Sequence, residues 1–313
     1  MDKPANQPKS QDAIIVRLLG GLGNQMFQYA FGRSMSILHG RELKFDLGFY
    51  NKQNSKWAQR TYALGNFNTQ VQLATKQELK PFQKYLGQNL LSKFLRRISA
   101  FFPYSAKSYI LENPGQNFAF NARLFKTKLK PKAYFDGFWQ TEKYFLDIED
   151  IIRKDFTFKH EPDEANRKML EQITSANSAA IHIRHGDNAT KIAAHHGVLP
   201  LEYYYDSIDQ LAKLIDNPFF YIFSDDINWA EDNLKLNYPA VFVSHNGEEK
   251  HIEDLRLMSA CKHHIIGNST FSWWGAWLGQ KPGQKVFAPS RYHMNVNITM
   301  NDYYPSHWNI VNV

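Results

Sequence analysis

His182-Ile183-Arg184-His185-Gly186-Asp187 packs more candidate chemistry into six residues than any other stretch of this sequence. A guanidinium such as that of Arg184 is a rigid fork of donors that grips a phosphate or pyrophosphate in bidentate fashion. Asp187 can orient that fork or take a proton, and His182 can hydrogen-bond a base or a sugar. A plain ion pair between Arg184 and Asp187 is the blander alternative. Further on, Gly267-Asn268-Ser269-Thr270-Phe271-Ser272 sets small hydroxyl residues where a helix begins. Free N–H groups at such a start bind phosphate oxygens, although the stretch alone reads as an ordinary Ser/Thr cap. Two anion sites converging on one sheet edge strengthen each other.

Ser224-Asp225-Asp226 can receive guanine N–H donors or ribose hydroxyls, or cap the next helix. Gly20-Gly21-Leu22-Gly23-Asn24-Gln25 is a glycine turn that lets a backbone approach a ligand closely. Gly21-x-Gly23 with Asp46 downstream could open a dinucleotide fingerprint, but Met26 stands at the third glycine. His251-Ile252-Glu253 matches half of a zinc deaminase motif, and the single cysteine, Cys261, cannot supply the rest. The pairs His195-His196 and His263-His264 point apart on most backbones. There is no HExxH, Walker A, GxSxG or kinase signature.

Strand, turn and helix signals position these groups. Residues 14–19 form an apolar run before the glycine turn, followed by helical spacing at Phe27, Ala30, Phe31, Ser34 and Leu38 up to Gly40. A second strand is expected over 42–46, completing a βαβ unit. The later half alternates more clearly. Strands are expected over 179–183, 219–223, 240–243, 264–266 and 286–288, with helices from Pro200, at 229–236, 252–261 and 272–278. That alternation predicts a parallel sheet covered by helices on both faces. Ligands of such sheets bind outside the carboxyl ends of the strands, where every cluster above falls. Residues 62–132 resist assignment. Within them Leu90, Leu91, Phe94, Leu95 and Ile98 keep helical spacing beside Lys93, Arg96 and Arg97. A helix burying its apolar side on the domain is the expected form. An interfacial helix touching anionic lipid, and receiving the acceptor or its lipid carrier, is the other.

At 313 residues the chain suits two domains, and its 43% hydrophobic content can build their cores. A net charge of +7 favours anionic partners. One cysteine excludes an internal disulfide and a CxxC redox pair. The polar start, residues 1–11, reads as a loose tail that is neither signal peptide nor anchor. A cytoplasmic location is expected.

Taken together, the blocks Gly20 to Ala30, Gly137 to Phe145, HIRHGD, FSDD and LMSACKHHIIGNSTFSWWGAWL resemble the bacterial α-1,2-fucosyltransferases of glycosyltransferase family 11. The likeness runs from about Ile14 to Pro289. It implies an α/β fold of GT-B type, two Rossmann-like domains facing each other across a cleft. The acceptor-side domain would span 12–160 and the GDP-fucose-binding domain 161–313, with the last residues packing back on the first. It also implies an inverting transfer from GDP-L-fucose to the 2-OH of a terminal β-galactoside, with no metal and no cofactor. Surface glycan or O-antigen synthesis, peripheral contact with the inner membrane and no nucleic-acid partner go with that reading. Arg184 would be the first arginine of the family's His-x-Arg-Arg-x-Asp motif, holding the pyrophosphate, while His185 replaces the second. His182 would lie near the nucleoside, and Ser269, Thr270 and Phe271 near the β-phosphate. Asp225 would meet the guanine edge, Gly23 would belong to the donor site and Asn24 would face the reaction centre. Asp187 is the first choice of base, with His195, His196 and Glu253 open. A nicotinamide-dependent oxidoreductase built on the glycine turn and Asp46 is the rival, and a non-catalytic binding module another.

Overall fold

The computed structural model describes residues 12–52, 60–113, 118–186, 197–292 and 300–313. The described chain up to Phe156, with Asn301–Tyr303, makes one unit; Thr157–Met300 and Tyr304–Val313 make the other. The change falls a few residues before the expected 160. Phe156 is packed against Tyr29 and Phe67 of the first unit, while Phe158 lies under the Arg256 guanidinium of the second. No helix among the described residues is long and apolar enough to cross a membrane.

Among the described residues the first unit carries four parallel strands, β1 (Ala13–Arg17), β2 (Glu42–Asp46), β3 (Tyr109–Leu111) and β4 (Lys132–Asp136), in the order β2-β1-β4-β3. Alternation along β1 sends Ala13 and Ile15 into a cluster with Phe82, Tyr109 and Tyr134. Val16 faces the other way, against α1 (Leu22–His39). Gly40, at φ 60, ends α1 in the left-handed turn that glycine makes without strain. Residues 62–132 hold single helical turns, the helix α2 (Leu90–Phe101) where helical spacing is expected, and β3, with β4 starting at their end.

Among the described residues the second unit holds six parallel strands: β5 (Asn177–Ile183), β6 (Pro218–Ser224), β7 (Ala240–Phe242), β8 (His263–Ile265), β9 (Val286–Pro289) and β10 (Asn309–Val311). Their order is β10-β9-β8-β5-β6-β7. Its helices are α3 (Glu164–Ser175), α4 (Leu201–Ala212), α5 (Ile227–Asn233), α6 (His251–Ala260) and α7 (Thr270–Leu278). Ala179, Ile181 and Ile183 of β5 pack on one face with Tyr204, Ile208 and Leu211 of α4. Ala180 packs on the opposite face with Ile173 of α3 and Leu257 and Met258 of α6. Helices therefore cover both faces. Trp273, Trp274 and Trp277 are fully buried core residues. The last residues contribute β10 to this second sheet, and only Asn301–Tyr303 group with the first unit.

Candidate active site

In the second sheet β8, β5 and β6 are neighbours. The chain runs outward from β5 through β6 to β7, then returns on the other side of β5 at β8. The β5/β8 junction is thus the topological switch point, where open α/β sheets take their ligands. His182 and Arg184 leave β5 there, Asp225 and Asp226 leave β6, and Gly267 to Thr270 lead from β8 into α7. A Cβ on Gly267 would lie 2.9 Å from the His182 carbonyl oxygen and 3.3 Å from its Nδ1. Only glycine lets the two strand exits pass this closely.

Asp225 organises the loop after β5. Its Oδ1 accepts the N–H groups of His185 at 2.8 Å and Gly186 at 3.1 Å. Its Oδ2 stands 4.0 Å from Arg184 Nε, with the guanidinium partly open to solvent. The carboxylate expected at the guanine edge is therefore engaged with the loop that carries Arg184. Asp226 caps α5 by accepting the Trp229 N–H at 3.2 Å, and its Oδ2 lies 3.0 Å from His185 Nδ1. The His185 ring stacks on Trp229 with centroids 3.9 Å apart. Ser269 caps α7 by accepting the Phe271 N–H at 3.3 Å, so the ordinary cap is present in addition to any ligand role. Thr270 opens the helix beside it, and Phe271 sets its ring 5.9 Å from His182.

His182 is buried, and its Nδ1 has no hydrogen-bond partner among the described residues. Burial lowers its pKa to about 4, with the Arg184 charge acting in the same direction and Asp225 opposing. The imidazole is neutral at pH 7 and offers hydrogen bonds rather than charge. Between about pH 4 and 6.5 the unfolded chain binds a proton that the folded chain excludes, so acidification through that window lowers stability. His182→Leu should flatten this part of the acid limb, read by tryptophan fluorescence against pH. An unchanged limb would contradict the assignment. His264, buried and lowered to about 3, remains in both proteins.

The first unit brings its two sequence blocks together in the same way, since β1 and β4 are neighbours. Gly20, at φ 81, turns the chain out of β1 where a Cβ would lie 2.4 Å from Asn24 Nδ2. Gln28 accepts the Leu19 N–H at 3.0 Å and donates to the Gly137 carbonyl at 3.1 Å, tying the exits of both strands. Gln140 Nε2 donates to Asn24 Oδ1 at 2.8 Å. Gly23 and Asn24 lie in the first turn of α1. Beneath this frame the buried Glu112 accepts the N–H groups of Phe138 at 2.6 Å and Trp139 at 3.0 Å. Gln140 stood inside a recognised block, but nothing in the spacing singled out Glu112.

Of the other expected residues, two meet competing partners and three lie outside the described residues. Asp46 accepts the Tyr134 hydroxyl at 2.6 Å and the Gly48 N–H at 2.8 Å. It is a buried structural acid, which removes the ribose-binding group that the oxidoreductase alternative needs. Glu253 is paired with Arg256 at 2.8 Å. Asp187, His195 and His196 lie outside the described residues. Among the described residues no three His, Cys, Asp or Glu gather as a metal site.

Comparison with known proteins gives the family and the fold. The model of glycosyl transferase family 11 matches residues 13–312. An alpha-1,2-colitosyltransferase of Escherichia coli is 34% identical over 94% of this chain and 97% of its own length. The O-antigen biosynthesis glycosyltransferase WbnK of the same species is 32% identical over 90% and 95%. Among solved structures, a mutant of Arabidopsis thaliana FUT1 in complex with GDP superposes with a TM-score of 0.54 at 12% identity, covering 91% of this chain and 71% of that one. The NodZ alpha-1,6-fucosyltransferase soaked with GDP-fucose gives 0.50 at 15% identity, over 86% and 93%. These structural likenesses concern the fold, and the two parallel α/β units are those of the GT-B type. With its family model matched from the first strand to the last, the chain belongs to glycosyl transferase family 11.

Proposed function

We propose that this enzyme transfers L-fucose from GDP-L-fucose to the 2-OH of a terminal β-galactoside, with inversion and without a metal, in surface glycan or O-antigen synthesis. The observation that carries this reading is the meeting of Arg184, the neutral His182 and the start of α7 at one switch point. Loss of GDP from the anomeric carbon builds negative charge on the β-phosphate. A fixed guanidinium and a helix N-terminus stabilise charge that develops there. Inversion requires the acceptor hydroxyl to lose its proton, and Asp187 is the base we assign, with His195 and His196 next. Glu253 is less suited because Arg256 occupies it.

A screen of nucleotide sugars against simple β-galactosides, with the product linkage read by NMR, tests the reading. Turnover of GDP-L-fucose that persists in EDTA is expected. Loss on chelation with rescue by manganese would overturn the metal-free part. A second donor follows from the colitosyltransferase relative. Colitose is the 3-deoxy counterpart of L-fucose, so GDP-colitose belongs in the same screen. Preference for it would move the donor assignment without moving the phosphate site.

A further inference from the structure

The helix α2 sits on its unit by its polar side. Ser92 is buried, and Arg96 donates through Nη1 to the carbonyls of Tyr85 and Gly87. Leu95 and Ser99 are half-buried. At about 100° per residue these four share one side of the helix. The opposite side carries Leu90, Leu91, Phe94, Ile98 and Phe101, all exposed, with Leu90 and Phe101 at 84% each. Lys93 and Arg97 are exposed along the edge of this stripe. The expected burial of the apolar side against the domain is thus reversed. A contiguous apolar ridge left in water marks an interaction surface.

Charge identifies the partner. Between Glu78 and Asp136 the sequence has eleven Lys and Arg against one acid, Glu112, a larger positive excess than the +7 of the whole chain. Glu112 is buried. Next to the end of α2 lies a groove of about 460 Å³ whose walls include Tyr104, Lys107, Arg123 and Lys126. Lys107 Nζ donates to the Ser99 carbonyl at 3.2 Å and stands over the Tyr104 ring. A second copy docking by this face would set Lys93 and Arg97 against the same cations. An anionic bilayer offers both an apolar layer and a sheet of phosphates.

We propose that α2 is an interfacial anchor, lying in the headgroup layer of an anionic membrane with Leu90, Phe94 and Phe101 toward the acyl chains and Lys93 and Arg97 on lipid phosphates. Docking of this kind holds the enzyme where a lipid-linked glycan is presented. It does not depend on which sugar is transferred.

Flotation of the full chain with vesicles tests this without substrate. The protein should float with phosphatidylcholine vesicles containing phosphatidylglycerol, remain behind with pure phosphatidylcholine, and be released by high salt. Phe94→Ser with Phe101→Ser, and separately Lys93→Glu with Arg97→Glu, should each lower the partition coefficient about tenfold or more. Circular dichroism and turnover of a soluble acceptor should stay unchanged, since these side chains are exposed. Absence of flotation with anionic vesicles, or equal flotation of the variants, would overturn the proposal. So would a dimer in sedimentation velocity that Phe94→Ser and Phe101→Ser dissociate without any vesicle binding, which would give this face to a second copy.

Discussion

Arg184→Ala should fold normally and lose at least about a hundredfold in kcat with GDP-L-fucose, roughly 3 kcal/mol of transition-state stabilisation. The fold should survive because the contact that the side chain makes with Asp225 is long, at 4.0 Å, and partly open to solvent. The rate should fall because the loop that carries the guanidinium is held in advance. Asp225 anchors the loop through two backbone N–H groups and faces Arg184 with its other oxygen, so no reorganisation is needed as charge builds on the phosphate. The loss should appear in kcat as well as KM, since the contact strengthens toward the transition state. Arg184→Lys keeps the charge without the planar fork and should fall between the two. His185→Ala should cost much less, as its ring is already engaged by Asp226 and Trp229. Steady-state kinetics with calorimetric GDP binding would measure all three. A folded Arg184→Ala enzyme of near-normal kcat would remove this motif from the donor phosphates.

Much of that site is legible from sequence for a structural reason. Strands buried on both faces read as continuous apolar runs, and ligand groups of such sheets stand at their ends. The boundaries consequently fall close, as with 264–266 against the observed His263–Ile265. In the first unit β3 and β4 have three and five residues, and β4 begins with Lys132 and ends with Asp136. Strand β2, just as short, is marked by the long amphipathic run of α1 before it. Between β3 and β4 only the helical turn Ala122–Phe125 lies among the described residues, so no βαβ pattern sets them off from a loop. Amphipathic spacing located α2 correctly but not its orientation, because the pattern says which residues share a face and not what that face meets. Asp225 shows a similar limit. Besides the guanine edge that its residue type suits, its carboxylate holds the N–H groups of His185 and Gly186, and such backbone partners leave no trace in side-chain spacing.

Glu112 is the clearest hidden residue, and its replacement should have the second large effect. Its carboxylate end satisfies the buried N–H groups of Phe138 and Trp139, and Trp139 is held at φ 55, a conformation that non-glycine residues seldom adopt. Glu112→Ala should orphan both donors, at about 1–3 kcal/mol each, and loosen the turn that delivers Gln140 to Asn24. Glu112→Gln keeps one acceptor oxygen and sets an NH₂ group against the other donor, so a smaller loss is expected. Burial pushes the Glu112 carboxyl up to about 8, although the Phe138 and Trp139 N–H groups act in the opposite direction. Between its unfolded value near 4.5 and about 8 the folded chain keeps a proton that the unfolded chain has released. Stability from this group is therefore complete below that window and lost as pH rises through it. Glu112→Gln cannot titrate, and its unfolding free energy should decline less between about pH 5 and pH 9 than that of the parent. Urea denaturation across that range would show the difference. Parallel curves would mean that Glu112 is ionised in the fold, and an Ala variant of unchanged stability would mean that water satisfies the two N–H groups in its place.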